Sequence, residues 1–108
     1  MLLAERTLDA LGDPTRRLIF KRLKGGNKSV EEVARGLSVS RPAVSQHLKV
    51  LKTAGLAVVR VEGTRRIYSV DTRGLTALRG WLDGFWDKTL MAFRDAAEKE
   101  AARERETR

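Results

Sequence analysis

No cysteine occurs in the 108 residues. Disulfides, thiolate redox sensing and every cysteine-based metal site are thereby excluded. The absence fits a reducing cytoplasm, where the protein is expected to work. Histidine occurs once, as His47, and nothing around it makes up a catalytic set. No Ser–His–Asp arrangement, paired carboxylates or phosphate-cradling glycine loop is apparent. Gly25-Gly26 reads as a helix stop, because the rest of a P-loop is missing. An enzyme is therefore the least expected class, and neither a cofactor nor a metal is expected. Long apolar runs are lacking too. No stretch approaches the ~20 apolar residues of a membrane span, and with charges by Glu5 a signal peptide is not expected.

What is present is positive charge. The formal net charge is +8, which favours a polyanionic partner. Its distribution says more than its sum. Residues 14–28 hold Arg16, Arg17, Lys21, Arg22, Lys24 and Lys28 without an acid. Residues 41–66 hold Arg41, Lys49, Lys52, Arg60, Arg65 and Arg66 against Glu62 alone, while basic and acidic residues cancel over residues 94–108.

Between those basic clusters lies a stretch around which the chain is organised, SVEEVARGLSVSRPAVSQHLKVLKTAGL at residues 29–56. Ser29 caps a first helix, and Glu32 completes a capping box. Val30, Val33, Ala34 and Leu37 recur at helical spacing. Ser40 caps a second helix over residues 41–53, Pro42 sits in its first turn, and Gly55 supplies a left-handed stop. Val44, Leu48 and Leu51 form one core stripe. The opposite face carries Pro42, Ser45, Gln46, Lys49 and Thr53. It holds no acid, whereas a plain solvent face usually mixes in Glu or Asp. Such a face suits phosphates and base edges, and small Ala34 allows the close crossing of a helix-turn-helix. A helical hairpin with a solvated face is the plainer alternative. His47 flanks the core stripe, where a packing or capping role and a phosphate contact are both open.

Taken in order, residues 2–11 read as a short amphipathic helix with Leu3, Leu8 and Leu11 on its apolar side. Asp13 and Pro14 start a helix over residues 14–24 whose core face is Leu18, Ile19 and Leu23. Its arginines face either solvent or phosphate. After Gly55 the period changes. LAVVRV at residues 56–61 and RRIYSV at 65–70 flank a turn at Glu62-Gly63-Thr64, which makes a β-hairpin. Arg60, Thr64, Arg65 and Arg66 gather near its tip. A basic hairpin directly after a helix-turn-helix is a wing; an edge hairpin kept soluble by charge is the alternative. Asp71 or Thr72 caps a last helix with Leu75, Leu78, Leu82, Phe85, Trp86, Leu90 and Phe93 every three or four residues. Trp81 and Met91 widen this stripe. Gly74, Gly80 and Gly84 predict bending or a late start. The fold class is mainly α with a β-hairpin wing, in the order α-α-α-α-β-β-α. Residues 1–93 form a dimerising winged helix-turn-helix domain, and residues 94–108 a charged helical extension or frayed tail.

LGDPTRRLIF at residues 11–20, the helix-turn-helix stretch at 29–56 and VEGTRRIYSVD at 61–71 together resemble the ArsR/SmtB family of winged-helix transcriptional regulators. The resemblance implies a small homodimer that binds operator DNA, usually as a repressor, and dimerises through its first and last helices. The metal sensors of that family carry cysteines on the first helix of the motif, or Asp and His on the last helix. Here EEVARGL at residues 31–37 has no thiol, and the last helix has Asp83, Asp87 and Glu98 but no histidine. Carboxylates alone make poor sites for borderline-soft metals, so the chain resembles the metal-independent branch. The expected DNA-binding residues are Ser40, Arg41, Pro42, Ser45, Gln46, His47, Lys49, Thr53, Arg60, Thr64, Arg65 and Arg66. Those expected at a dimer interface are Leu2, Leu3, Leu8, Leu78, Trp81, Leu82, Phe85, Trp86 and Leu90. Two other readings stay open: a non-specific architectural DNA binder, and a regulator with an organic effector held by Trp81, Phe85 and Trp86.

Overall fold

Local capping rules account for most element boundaries in the computed structural model, which describes residues 2–107. The chain runs α1 (Leu3–Leu11), α2 (Pro14–Lys24), β1 (Lys28–Ser29), α3 (Val30–Ala34), α4 (Arg41–Thr53), β2 (Ala57–Glu62), β3 (Arg65–Val70) and α5 (Arg73–Glu106). Asp13 accepts the Arg16 N–H at 3.0 Å with Pro14 next to it, so α2 starts where both signals agree. That hydrogen bond, with the nearby Arg16 charge, holds the Asp13 carboxyl below its usual range. Both halves of the Ser29–Glu32 capping box form, and Ser40 accepts the Ala43 N–H.

The core follows from the α4 stripe. Val44, Leu48 and Leu51 are fully buried, together with Ile19 and Leu23 of α2, Val33 of α3, and Leu56 and Tyr68 around the sheet. Each side chain of this kind contributes about 1.5–3 kcal/mol on leaving water. On α2 the expected Leu18 is 43% exposed and Phe20 is buried in its place. Both residues flank Ile19 and Leu23 on the helix, on opposite sides, and the packing side is set by α4 and the sheet. On α1 the outcome also departs from the leucine pattern. Ala4, Thr7 and Ala10 are buried, while Leu3 and Leu8 point outward. Small residues let this helix lie close to the chain after α4. The buried Thr7 hydroxyl is 2.9 Å from the Leu3 carbonyl and 2.8 Å from that of Ala54.

Three arginines of the first basic cluster cap helices. Arg16 and Arg17 donate to the carbonyls of Ala10 and Leu11 at the end of α1, and Arg22 donates to those of Val33 and Arg35 at the end of α3. The last carbonyls of a helix lack internal partners and sit at the negative end of its dipole, so guanidinium groups suit them.

The sheet has one strand more than expected. β1 pairs antiparallel with β3, giving the order β1-β3-β2, with Ser29 opposite Ile67 and Lys28 opposite Tyr68. β2 and β3 pair from Ala57–Val70 to Glu62–Arg65, which leaves Gly63-Thr64 as a two-residue loop. Gly63 takes φ 62° and Thr64 stays at negative φ, the pattern of a II′ turn.

The chain packs as two units, the first reaching Leu78 and the second beginning at Arg79. The Asp71 carboxylate accepts the Arg73 N–H at 3.0 Å and pairs with its guanidinium at 2.8 Å, which caps α5. At Gly74 the chain passes so close to the end of α4 that an added Cβ would lie 2.5 Å from the Ala54 carbonyl oxygen. Despite Gly80 and Gly84, helical structure runs unbroken to Glu106. The charged stretch after Phe93 therefore takes the helical alternative, with Arg94–Glu98 and Glu100–Arg103 pairs along it.

Candidate nucleic-acid interface

Helix α4 sorts its side chains by face. With Val44, Leu48 and Leu51 turned into the core, Arg41, Pro42, Gln46, Lys49 and Thr53 are exposed, and Ser45 is half-buried. The Ser40 hydroxyl serves its own helix as cap, and Thr53 donates its hydroxyl to the Lys49 carbonyl at 3.1 Å. That leaves Gln46 with a free amide and Lys49 with a free ammonium among the described residues. His47 is half-buried at the side, as its place beside the core stripe predicts.

The hairpin puts Arg60, Thr64, Arg65 and Arg66 in solvent. Helix tip and wing share one cleft. Ser29, Val30, Glu31, Arg41, Thr64, Arg65 and Arg66 line a space of about 350 Å³. This juxtaposition brings Arg41 to the wing arginines although 24 positions separate it from Arg65 in the chain. A second concavity of about 390 Å³ opens along the other flank of α4, lined by Arg6, Asp9, Arg16, Gln46, Lys49 and Thr53 over a floor of Ala10, Val50 and Ala54.

Three of the four candidate arginines pair with carboxylates. Arg41 meets Glu31 at 2.9 Å, Arg60 meets Glu62 at 2.9 Å, and Arg65 meets Glu32 at 2.8 Å. Glu32 thus has two tasks, since the same oxygen accepts from the Ser29 N–H and hydroxyl. The Ser29 N–H is the main cause holding its carboxyl below the usual range, with Arg65 and Lys28 adding to it. The capping box is legible from spacing. The Arg65 pairing is not, because it depends on how the wing folds back.

In the second unit, Trp81, Leu82, Phe85, Trp86, Leu90, Met91 and Phe93 are all at least 41% exposed on one helix. The rings of Trp81 and Phe85 stack with centroids 6.2 Å apart, beside a shallow groove of about 380 Å³ over Gly80 and Gly84. Trp86 does not line this groove. Leu2, Leu3 and Leu8 are exposed on the first unit, and Leu78 is half-buried. Among the described residues no three His, Asp or Glu side chains come together as a metal site, and no helix is long and apolar enough to cross a membrane.

Comparisons with known proteins agree with this geometry. The family model described as "Bacterial regulatory protein, arsR family" matches residues 13–58, from the α2 cap to the start of β2. The HTH-type transcriptional regulator Rv2034 of Mycobacterium tuberculosis is 53% identical over 96 residues, covering 89% of this chain and 90% of that protein. The transcriptional repressor SdpR of Bacillus subtilis is 35% identical over 79 residues, 73% of this chain and 88% of its own length. Among solved structures, an ArsR-like transcriptional regulator from Rhodococcus superposes with a TM-score of 0.73 at 28% identity, over 88% of this chain and 92% of its own. A homodimeric winged helix-turn-helix DNA-binding domain from Mycobacterium bovis does so with a TM-score of 0.63 at 28% identity, over 80% of each chain. By sequence over nearly its whole length, and by fold, this chain belongs to the ArsR family of winged helix-turn-helix transcriptional regulators.

Proposed function

We propose that the protein is a homodimeric repressor that binds an inverted-repeat operator in the cytoplasm. The observation that carries the reading is the shared cleft of α4 and wing, which sets Arg41 beside Arg65 and Arg66. An acid-free helix face then enters the major groove, while the wing follows the backbone into the next minor groove. Gln46 suits adenine, Arg41 suits guanine, and Lys49, Arg60, Arg65 and Arg66 suit phosphate. Ser45 and Thr53 supply short polar contacts at the groove edge, and His47 lies at its margin. The exposed α5 face supports the dimer. From Leu78 to Leu90 the apolar side chains cover about half the helix circumference, wider than the seam of a two-helix coiled coil, and large aromatics anchor interfaces well. Leu2, Leu3 and Leu8 add a second apolar surface for the same interface.

Selection of bound duplexes from random DNA, followed by footprinting, tests this. The expected product is an inverted repeat whose half-sites lie about one helical turn apart, protected by two protomers per site. Selection that enriches no motif overturns operator recognition and leaves a non-specific binder.

A further inference from the structure

The carboxylates on α3 sit where a DNA-binding surface ordinarily has none. Glu31 and Glu32 lie in the first turn of that short helix, each within 3 Å of an arginine assigned to DNA. The pairs are open to solvent: Arg41 and Glu31 are 65% and 64% exposed, Arg65 and Glu32 59% and 41%. Ion pairs of that exposure add little to folding. Glu32 has its structural task in the capping box, which a neutral glutamine also performs. Glutamine at either position is therefore expected to keep the fold.

We propose that Glu31 and Glu32 act as internal competitors for DNA at Arg41 and Arg65, lowering affinity for DNA of any sequence. The inference rests on the DNA-binding reading above. A phosphate approaching the cleft has two possibilities. It displaces the carboxylate from the guanidinium, or it shares the arginine and remains about 7 Å from a second negative charge. Either way, association with any duplex is opposed by the same interaction. A matched sequence binds against the same opposition through its additional contacts from Gln46 and Arg41 to base edges. Because Glu32 is anchored to Ser29 by two hydrogen bonds, it also holds Arg65, and with it the tip of the wing, in one place before DNA arrives. Glu31 is anchored only by Arg41 among the described residues, so its carboxylate is the one that is free to swing away.

A unit charge at about 7 Å, with an effective dielectric between 20 and 80 and a Debye length of ~8 Å, changes binding by roughly two- to fivefold. Glu31→Gln and Glu32→Gln remove the charge and keep the shape. Fluorescence anisotropy titrations with a selected inverted-repeat duplex and a random duplex of equal length, across a salt series, read the outcome. Each variant is expected to bind random DNA about two- to fivefold tighter, with a salt slope steeper by up to ~0.9. Operator binding is expected to tighten by a similar factor, because the opposing charge acts on both duplexes. Unchanged or weaker binding to random DNA, in variants whose circular dichroism melts match wild type, overturns the proposal. Arg41→Ala and Arg65→Ala in the same series separate the two readings. If they weaken binding while the glutamine variants do not tighten it, only the competitor role fails. If they leave binding untouched, the assignment of this face to DNA fails.

Discussion

Gly74→Ala puts two physical effects in opposition and lets the sign decide. On helix propensity alone the change stabilises by about 1 kcal/mol, since alanine is the better helix former. The structure predicts the reverse. The new Cβ would lie 2.5 Å from the Ala54 oxygen, 2.8 Å from the Gly55 oxygen and 2.8 Å from Thr7 Oγ1. Two of these are backbone atoms that no side-chain rotation removes. Relief requires the start of α5 to move outward. That lengthens the Gly74 N–H to Gly55 carbonyl bond, 2.8 Å at present, and disturbs the buried Thr7–Ala54 bond. Overpacking costs about 1–3 kcal/mol, and each weakened hydrogen bond about 1 kcal/mol. Less the propensity gain, the net loss is about 2–4 kcal/mol. For a chain of this length that lowers the melting temperature by roughly 10–25 °C. The assay is a thermal melt at fixed protein concentration, because association adds its own stabilisation. Gly80→Ala is the control: its Cβ would meet nothing within 4 Å, so only the propensity gain remains. If Gly74→Ala melts at or above the wild-type temperature, the close approach of α5 to the α4 end is refuted.

Replacing Arg65 and Arg66 together by alanine is expected to weaken binding to all duplexes and to flatten the salt slope by about 0.9 per lost phosphate contact; filter binding across a salt series checks it. Gln46→Ala is expected to relax base preference at one operator position, at a cost of about 1–3 kcal/mol for the preferred base; identical selection logos for variant and wild type would exclude Gln46 as a reader. Leu82→Glu, which buries a charge in the proposed α5 interface, is expected to halve the mass seen by sedimentation equilibrium. Arg73 keeps the Asp71 carboxyl below its ordinary range, chiefly through its guanidinium and then through its N–H. A carboxyl depressed in the folded state contributes stability that is present at neutral pH and lost as pH falls below its ordinary value near 4. Asp71→Asn should therefore melt lower than wild type at pH 7, and the gap should close below pH 4.

Where a signal is local, the chain reads well. The caps at Asp13, Ser29 and Ser40 need only three or four residues each, and the Val44–Leu48–Leu51 stripe needs one helix. All of them lie as spacing predicts. The turn at Gly63 is likewise set by its own backbone. What the sequence hides is decided by neighbours. A two-residue strand such as β1 has no period to detect and exists only because β3 arrives beside it. Phe20 in place of Leu18, and Ala4, Thr7 and Ala10 in place of Leu3 and Leu8 while Leu11 does pack against the core, reflect which side of each helix meets α4 and Gly74. The candidate site divides in the same way. The polar face of α4 and the basic hairpin are visible in order along the chain. The Glu31–Arg41 and Glu32–Arg65 pairs appear only when α3, α4 and the wing are assembled.

The pairing of β1 with β3 has a consequence for how the protein comes together. Ser29 is at once the second residue of β1 and the cap of α3, and its strand partner Ile67 lies beyond the helix-turn-helix and most of the hairpin. The helices and the β2–β3 hairpin close over short loops and form quickly, whereas this contact must close a loop of about forty residues. It is therefore expected among the last to form and the first to open. A single opening there frees the edge of β3 and uncaps α3 together. In native-state hydrogen exchange the Tyr68 amide, which faces Lys28 of β1, and the Glu32 amide should then share one opening free energy, although they belong to different elements.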